Sequence, residues 1–117
     1  MHCSALAVST RDINAHTVLV TAAGDIDYGN HRRLRHVTLE AVRRGRVNQV
    51  LDITGVSACD SSGLSAFVAI RRRTADRGGD LRLAGPSARL ATLLSIARLD
   101  HILPVYETVA AALGDCP

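Results

Sequence analysis

The chain has 117 residues, of which 47% are hydrophobic and 3% aromatic, with no tryptophan. This length is typical of one domain with one core, so we expect a single domain over 1–117 with its core at about 5–113. With so few aromatic residues the core must be aliphatic, which favours helices packed on a sheet over an aromatic-rich barrel. The net charge of +3 comes from 14 basic residues, all arginine, against 11 acidic ones, and composition alone does not locate a charged face.

The distribution of apolar residues argues against a membrane protein. No apolar stretch approaches the roughly 18–20 residues that a bilayer span needs. The N-terminus shows no basic segment followed by an apolar core, the pattern of a secretory signal. We therefore expect a cytoplasmic protein with no membrane partner.

The chain contains three cysteines, Cys3, Cys59 and Cys116, at wide and irregular spacing. No Cys-x-x-Cys pair occurs, and the histidines show no ligand spacing, so we predict no metal site and no cofactor. We interpret Cys59 as a small core thiol. A redox-sensitive pair of Cys3 with Cys116 remains open, since chain termini often lie close together.

The first third of the chain predicts a hairpin of strands. Alternating residues over Ala5–Thr10 predict a short strand, and the β-branched, apolar run Thr17–Ala22 predicts a buried one. Gly24 is expected to end the second strand. Asp25-Ile26-Asp27 is then expected to form a loop.

A helix and a third strand follow. Asn30 is predicted to cap a helix that Gly45 ends, with an apolar face of Leu34, Val37 and Ala41. Val47–Ile53 predicts the next strand, and 54–57 a turn.

The second half continues the alternation. A second helix is predicted to start at Asp60 and to stop at Gly78-Gly79, the strongest break in the chain. A third helix carries the apolar stripe of Leu90, Leu93, Leu94 and Ala97. The remaining predicted elements are a strand at Asp80–Ala84, a turn at Gly85-Pro86, an edge strand at Ile102–Val105 and a helix at Glu107–Leu113.

The predicted order is β-β-α-β-α-β-α-β-α. Strands that alternate with helices indicate right-handed crossovers and parallel pairing, and the opening hairpin makes the sheet mixed. The fold class is therefore α/β, a mixed and mostly parallel sheet of about five strands packed with about four helices.

Two predicted strand-to-helix loops carry carboxylates, and functional residues gather at such loops in this topology. Asp25 and Asp27 lie in the first. In the second, Asp60 can cap the following helix, and Ser61 and Ser62 occupy its first turn. A phosphate on either serine would be favoured by the helix N-terminus and opposed by the carboxylates, so it could exclude a partner without refolding the domain. Taken alone, the run is also an ordinary capping sequence.

Three motifs in order suggest a family. The run from Leu51 to Leu64, which contains Asp60-Ser61-Ser62-Gly63-Leu64, resembles the signature of STAS-domain anti-sigma factor antagonists. Gly24-Asp25-Ile26-Asp27 resembles that family's Gly-Glu-hydrophobic-Asp motif, and Gly78–Leu83 is similar too. The resemblance extends from about Val8 to Leu113 and implies a STAS-like fold.

The resemblance also implies a function. Ser61 would be the phosphoacceptor, with Ser62 as the fallback, and the unphosphorylated form would bind an anti-sigma factor that is a serine kinase and release its sigma factor. Phosphorylation would switch this binding off and a serine phosphatase would reset it; a weak homodimer stays open. The implied switch loop comprises Asp25, Asp27, Asp60, Ser61, Ser62, Gly63 and Leu64. The chain departs from the family at Ser65, where glycine is common, and at Cys59, where a larger apolar residue is usual.

Three other functions are compatible with parts of the sequence. A serine hydrolase could use Ser61 with His101 and an aspartate, but the chain lacks Gly-x-Ser-x-Gly and is short for a substrate pocket. Nucleic-acid binding could use Arg71–Arg73 or the cluster Arg43, Arg44 and Arg46. Consecutive helical residues point in different directions and no aromatics interleave, so we expect no direct nucleic-acid partner. A STAS sensor or scaffold that is never phosphorylated remains open.

Overall fold

A computed structural model of the chain describes residues 5–114, and the order of its elements confirms the predicted one. The strands are β1 (Leu6–Asp12), β2 (Thr17–Ile26), β3 (Asn48–Cys59), β4 (Leu81–Ala84) and β5 (Val105–Tyr106). The helices are α1 (His31–Arg43), α2 (Ser61–Asp76), α3 (Ala88–Ile96) and α4 (Val109–Gly114), with a short 3-10 helix at Leu99–His101. The predicted redox pair of Cys3 and Cys116 lies outside the described residues.

The five strands form one sheet in the order β1-β2-β3-β4-β5. β1 is antiparallel to β2, and the other three pairs are parallel. The sheet is therefore mixed and mostly parallel, as predicted. In parallel strands that are neighbours both in sequence and in the sheet, the carboxyl ends lie at one edge, and here β2 and β3 deliver both carboxylate loops to that edge.

The main core lies between the sheet and helices α1, α2 and α3. Alternate residues of the central strands, such as Val18, Val20, Leu51 and Ile53, are fully buried there, and Phe67 of α2 packs into the same cluster. The opposite face is covered by α4 at a smaller cluster of Val50, Ala84 and Ala112. Successive side chains of a strand thus point to opposite faces of the sheet and enter different clusters, as expected for a repeat of two residues.

β2 continues beyond the predicted end at Gly24 and includes Asp25 and Ile26. The expectation that Gly24 ends the strand was wrong, because Gly24 stays paired with Leu6 of β1 and with Val56 of β3, and the extra residue at the register shift that follows is Ser57 of β3. The φ of Gly24 is +109°, and a Cβ here would collide with the carbonyl oxygen of Ala5, just before β1. The pairing of β2 with β3 shifts register between Gly24 and Asp25, as expected where a glycine accommodates an irregular strand.

β3 also runs on, through the predicted turn at 54–57 to Cys59. That turn was a wrong prediction. Ala23 pairs with Gly55 after a register shift, and the backbone N–H of Thr54 donates to the side chain of Asp52 at 3.0 Å. The polar residues that suggested a turn are irregularities within a long strand, which a neighbouring strand keeps paired.

The last strand is Val105–Tyr106, later than the predicted Ile102–Val105. Residues 99–101 form the 3-10 helix, and Pro104 has no N–H to offer a ladder. Its carbonyl still accepts from the N–H of Leu83 at 2.9 Å. β5 lies at the end of the sheet, as expected for an edge strand.

Candidate functional site

The ends of β2 and β3 bring the two predicted carboxylate loops together. Ile26 pairs with Cys59, and the N–H of Asp60 donates to the carbonyl of Ile26 at 3.1 Å. The N–H of Tyr28, in the loop after β2, donates to Oδ2 of Asp60 at 3.1 Å. Residues far apart in sequence therefore form one continuous surface at the carboxyl edge of the sheet.

Asp60 is the N-cap of α2, as predicted. Its backbone is extended, and its Oδ1 accepts from the N–H groups of Ser62 at 2.8 Å and Gly63 at 3.2 Å. With the bond from Tyr28, the carboxylate accepts three backbone hydrogen bonds. Such charge-assisted bonds are stronger than neutral ones, so Asp60 holds both the start of α2 and the neighbouring loop.

Ser61 is the first residue of α2 and is exposed, whereas Ser62 is half-buried. Within residues 5–114, the hydroxyl of neither serine makes a hydrogen bond that would restrain it. Both lie in the first turn, where the helix dipole favours an anion. Of the two, Ser61 is the more accessible to an incoming enzyme.

Gly63 is buried at the point where α2 crosses the ends of the strands. A Cβ at this position would collide with Sγ of Cys59 and lie 2.9 Å from Cγ2 of Ile26. The missing side chain therefore sets how closely the first turn of α2 approaches β2 and β3. The next residue, Leu64, is half-buried and packs against the main core, so only part of it faces the surface.

Asp27 organises the other loop. Its Oδ1 accepts from the N–H of Gly29 at 2.9 Å and of Asn30 at 3.1 Å. Asn30 occupies the N-cap position of α1 but makes no side-chain cap bond, contrary to prediction. Its side chain turns back instead, accepting from the N–H of Asp27 at 2.9 Å and donating to the carbonyl of Asp25 at 2.7 Å. The loop is therefore held by its own polar side chains.

Tyr28 is the residue that the sequence reasoning missed. Tyr28 is 76% exposed in the loop that bonds to Asp60, and its ring centroid lies 6.1 Å from that of His31. Exposed aromatic side chains are common anchors at protein interfaces. The available signal was the rarity of aromatics in this chain together with the position of Tyr28 directly after Asp27.

Cys59 lies half-buried beneath Asp60. Burial, and second the charge of Asp60, raises the pKa of the Cys59 thiol from its ordinary 9.0 to about 11. Its Sγ lies 3.6 Å from the carbonyl oxygen of Asp60, which it faces as a weak donor. A thiol in this setting stays protonated near neutral pH and is a poor nucleophile.

The structure separates His101 from Ser61. The carbonyl of Ile102, next to His101, accepts from Nε of Arg71 at 2.8 Å. Arg71 lies ten residues beyond Ser61 in α2, a rise of about 15 Å. His101 itself is exposed and faces Asp100 at 3.9 Å, so these residues do not form a hydrolytic triad with Ser61.

The described part of the chain offers neither a metal site nor a helix that could cross a membrane. Between residues 5 and 114, no three His, Cys, Asp or Glu side chains converge as a metal site would require. Over the same residues, every helix is too short or too polar for a membrane crossing. Among the basic clusters, Arg44 and Arg46 lie 3.6 and 3.3 Å from a carboxylate oxygen of Asp12 and form ion pairs with it.

Comparison with known proteins agrees with this geometry. The model of the STAS domain family matches residues 7–112. The chain belongs to the STAS domain family. It is 32% identical over 111 residues, 91% of this chain and 73% of the relative, to the Mycobacterium tuberculosis protein named "Putative anti-anti-sigma factor Rv2638". It is 30% identical over 92 residues to the anti-sigma-B factor antagonist of Bacillus subtilis, covering 79% of this chain and 84% of that one.

Solved structures of STAS proteins show the same fold. An anti-sigma factor antagonist from Mycobacterium paratuberculosis superposes with a TM-score of 0.81 at 22% identity, over 94% of this chain and 92% of that one. The phosphorylated form of the Bacillus protein SpoIIAA superposes with a TM-score of 0.73 at 19% identity, over 92% and 97% of the two chains. The resemblance stated from the motifs, and the STAS-like fold that it implied, are therefore confirmed.

Proposed function

We propose that this protein is an anti-sigma factor antagonist that phosphorylation of Ser61 switches off. The observation that carries the proposal is the position of Ser61, an exposed hydroxyl at the first position of α2, beside an Asp60 carboxylate held by three backbone N–H groups. The names of the Bacillus subtilis and Mycobacterium tuberculosis relatives support the antagonist role. The role is regulatory, and no catalytic residue is assigned.

In the unphosphorylated state, the surface around Ser61 would bind an anti-sigma factor that is also a serine kinase, and the sigma factor would be released. The binding surface consists of the predicted switch loop with Tyr28 added. Asp25 at the end of β2, Asp27 in the loop after it, and Asp60 give it a negative character. A partner suited to this surface presents basic and apolar groups around its own active site.

Phosphorylation would act locally. It adds about −1.5 to −2 charges at pH 7 to a surface that already holds Asp60. Because Ser61 is exposed, the phosphate does not need to enter the core, and the helix N-terminus partly offsets its charge. The fold therefore stays intact while the added charge and bulk exclude the partner, until a serine phosphatase removes the group.

The site assignment is tested with a serine-kinase anti-sigma factor from the same organism. The protein, its Ser61→Ala variant and its Ser62→Ala variant are incubated with that kinase and ATP and analysed by mass spectrometry. We expect one phosphate on the unaltered protein and on Ser62→Ala, and none on Ser61→Ala. Modification that persists in Ser61→Ala but not in Ser62→Ala would move the acceptor to Ser62.

A binding measurement made beside this assay addresses the alternative of a sensor or scaffold. If the kinase binds but transfers no phosphate to any serine, the chain is a non-phosphorylated STAS module. We further infer that the chain acts as one STAS domain in the cytoplasm, where sigma factors act. Sedimentation analysis of both phosphorylation states would test whether a weak homodimer accompanies the switch.

A further inference from the structure

A second surface lies on the outer side of the helical layer, where α1 and α2 pack against each other. A groove of about 90 Å³ opens there between the two helices. Its floor is apolar and half-buried or buried, and an arginine from each helix borders it. The apolar floor residues are Leu39, Val42, Ala69 and Ile70; the buried Thr38 also lines the groove, with its hydroxyl donating to the carbonyls of Leu34 and Arg35, and the bordering residues are Arg35 and Arg73. We name this set the basic groove.

The charge of the two helices is strongly uneven. Together α1 and α2 carry seven arginines and two carboxylates, whereas the rest of the chain has seven arginines and nine carboxylates. Three of the seven have partners in the structure: Arg33 on Leu6, Arg43 on Glu40 and Arg71 on Ile102. The guanidinium groups of the other arginines of these helices, Arg32, Arg35, Arg72 and Arg73, make no ion pair or hydrogen bond within residues 5–114.

The basic groove combines unpaired arginine side chains with an apolar floor. A solvated face needs charge but no apolar depression, and an apolar depression alone would not concentrate one sign of charge. The combination is complementary to a ligand that is apolar on one side and acidic on its flanks. Arginine side chains suit such a ligand, because the guanidinium can form paired hydrogen bonds with a carboxylate.

The basic groove is separate from the Ser61 surface. Ala69 to Arg73 lie eight to twelve residues beyond Ser61 in α2, a rise of about 12–18 Å. The two surfaces also differ in sign, since Asp60 is adjacent to Ser61 and Asp27 lies in the loop that bonds to Asp60 through Tyr28. A ligand selected by one surface would therefore be disfavoured by the other.

We propose that the basic groove binds an acidic amphipathic helix of a protein partner. One leucine-type side chain of that helix would enter the groove between α1 and α2, and its apolar neighbours at i+3 and i+4 would lie against the two helices beside it, as in helix-in-groove recognition. Glutamates on its flanks would meet Arg35 on one side and Arg73 on the other. A nucleic acid fits less well, because the groove has no aromatic ring on which a base could stack and its apolar floor offers nothing to a phosphate backbone.

The proposal is tested with two fluorescent peptides of identical composition. One is an acidic amphipathic helix, with leucines at helical spacing and glutamates elsewhere, and the other has the same residues scrambled. Fluorescence anisotropy is measured with the full chain at low and physiological ionic strength. We expect the amphipathic peptide to bind at least about tenfold more tightly than the scrambled one, a difference of about 1.4 kcal/mol.

Variants locate the binding. Arg35→Glu/Arg73→Glu should weaken binding of the amphipathic peptide by at least about tenfold, since two attractive pairs become repulsive. Arg11→Glu/Arg89→Glu is the matched control, because it makes the same change in net charge at exposed arginines outside the groove. Ala69→Glu places a carboxylate on the groove floor and should also abolish binding. Circular dichroism confirms that each variant is folded.

The outcomes separate this proposal from the Ser61 switch. Ser61→Asp should leave affinity for the peptide within about twofold of the parent, because the two surfaces are more than a Debye length apart at physiological salt. Equal binding of both peptides, absence of binding, or an unchanged affinity in Arg35→Glu/Arg73→Glu would overturn the proposal. Tighter binding of a 20-base-pair duplex than of the amphipathic peptide would assign the groove to nucleic acid instead.

Discussion

The backbone N–H of Tyr28 donates to Oδ2 of Asp60 at 3.1 Å, a bond between residues 32 positions apart in sequence. The same carboxylate caps α2 through its other oxygen. One side chain thus couples the start of the helix that carries Ser61 to the loop that presents an exposed aromatic ring. A change at Asp60 should therefore affect both loops together.

Asp60→Ala should destabilise the protein by about 1–2 kcal/mol, the usual effect of losing an N-cap, because two N–H groups of α2 lose their acceptor. Urea denaturation measures this free energy of unfolding. Asp60→Asn, which can still cap, should cost less. Asp76→Ala is the control, since it removes an exposed carboxylate near the C-terminus of α2. Equal stability of Asp60→Ala and the parent would contradict the role of the cap.

Ser61→Asp should weaken binding of the anti-sigma factor while the circular dichroism spectrum stays unchanged, because the added charge lies on the surface. Ser61→Ala should bind regardless of kinase activity. Isothermal titration calorimetry compares the two with Ser9→Asp, which adds the same charge on the exposed edge strand β1. A Ser61→Ala variant that fails to bind would mean that the hydroxyl itself contacts the partner.

Tyr28→Ala should reduce affinity for the anti-sigma factor by at least about tenfold and leave the melting temperature unchanged, as expected for an exposed aromatic anchor. The side chain is 76% exposed, so its removal opens no cavity. Tyr28→Phe separates the ring from its hydroxyl. Wild-type affinity in Tyr28→Ala would place the ring outside the interface.

Gly63→Ala should destabilise the protein by about 1–3 kcal/mol, since the new methyl group overlaps Cys59 and crowds Ile26. Gly29→Ala is the matched control, because its Cβ would meet only a carboxylate oxygen of Asp27 at 3.4 Å. Replacing Cys59 by Ala removes one of the two overlaps. The double variant Cys59→Ala/Gly63→Ala should therefore be more stable than the sum of the single changes predicts, and additive effects would contradict the contact.

Cys59 should react slowly with thiol reagents. In a Cys3→Ser/Cys116→Ser background at pH 8, alkylation should be at least about tenfold slower than for an ordinary thiol, because a pKa of about 11 against 9.0 lowers the thiolate fraction about 100-fold and the higher basicity of the thiolate recovers only part of that factor. Unfolding in urea should restore the ordinary rate. An equally fast reaction in the folded protein would show that the thiol is not shielded.

The same pKa predicts a dependence of stability on pH. Because the pKa of Cys59 is higher in the folded than in the unfolded state, its contribution is fully present below pH 9 and is lost as the pH rises towards about 11. The free energy of unfolding should fall more steeply over this range in the parent than in Cys59→Ala. Identical pH profiles would contradict the shift.

Local sequence patterns were sufficient for the order of the elements and for the cap of α2. Apolar alternation identified the strands. In the Asp-Ser-Ser-Gly run, the aspartate side chain accepts hydrogen bonds from backbone N–H groups only two or three residues away. Neither feature therefore depends on distant partners. The motifs around Gly24 and Asp60 were also sufficient to suggest the family. Their locations at the ends of neighbouring strands predicted that the two loops would meet.

Tertiary structure decided the features that depend on residues far apart in the chain. Gly24 and the 54–57 segment look like strand ends, but pairing with adjacent strands keeps them in the sheet as irregularities. Asparagine is a residue type that commonly caps helices, yet the side chain of Asn30 bonds to the loop before it. Three further features arise only when separate elements pack together: the exposure of Tyr28, the shielding of Cys59 and the basic groove between α1 and α2. Burial and charge clustering depend on which elements meet, so the local sequence of one element does not determine them.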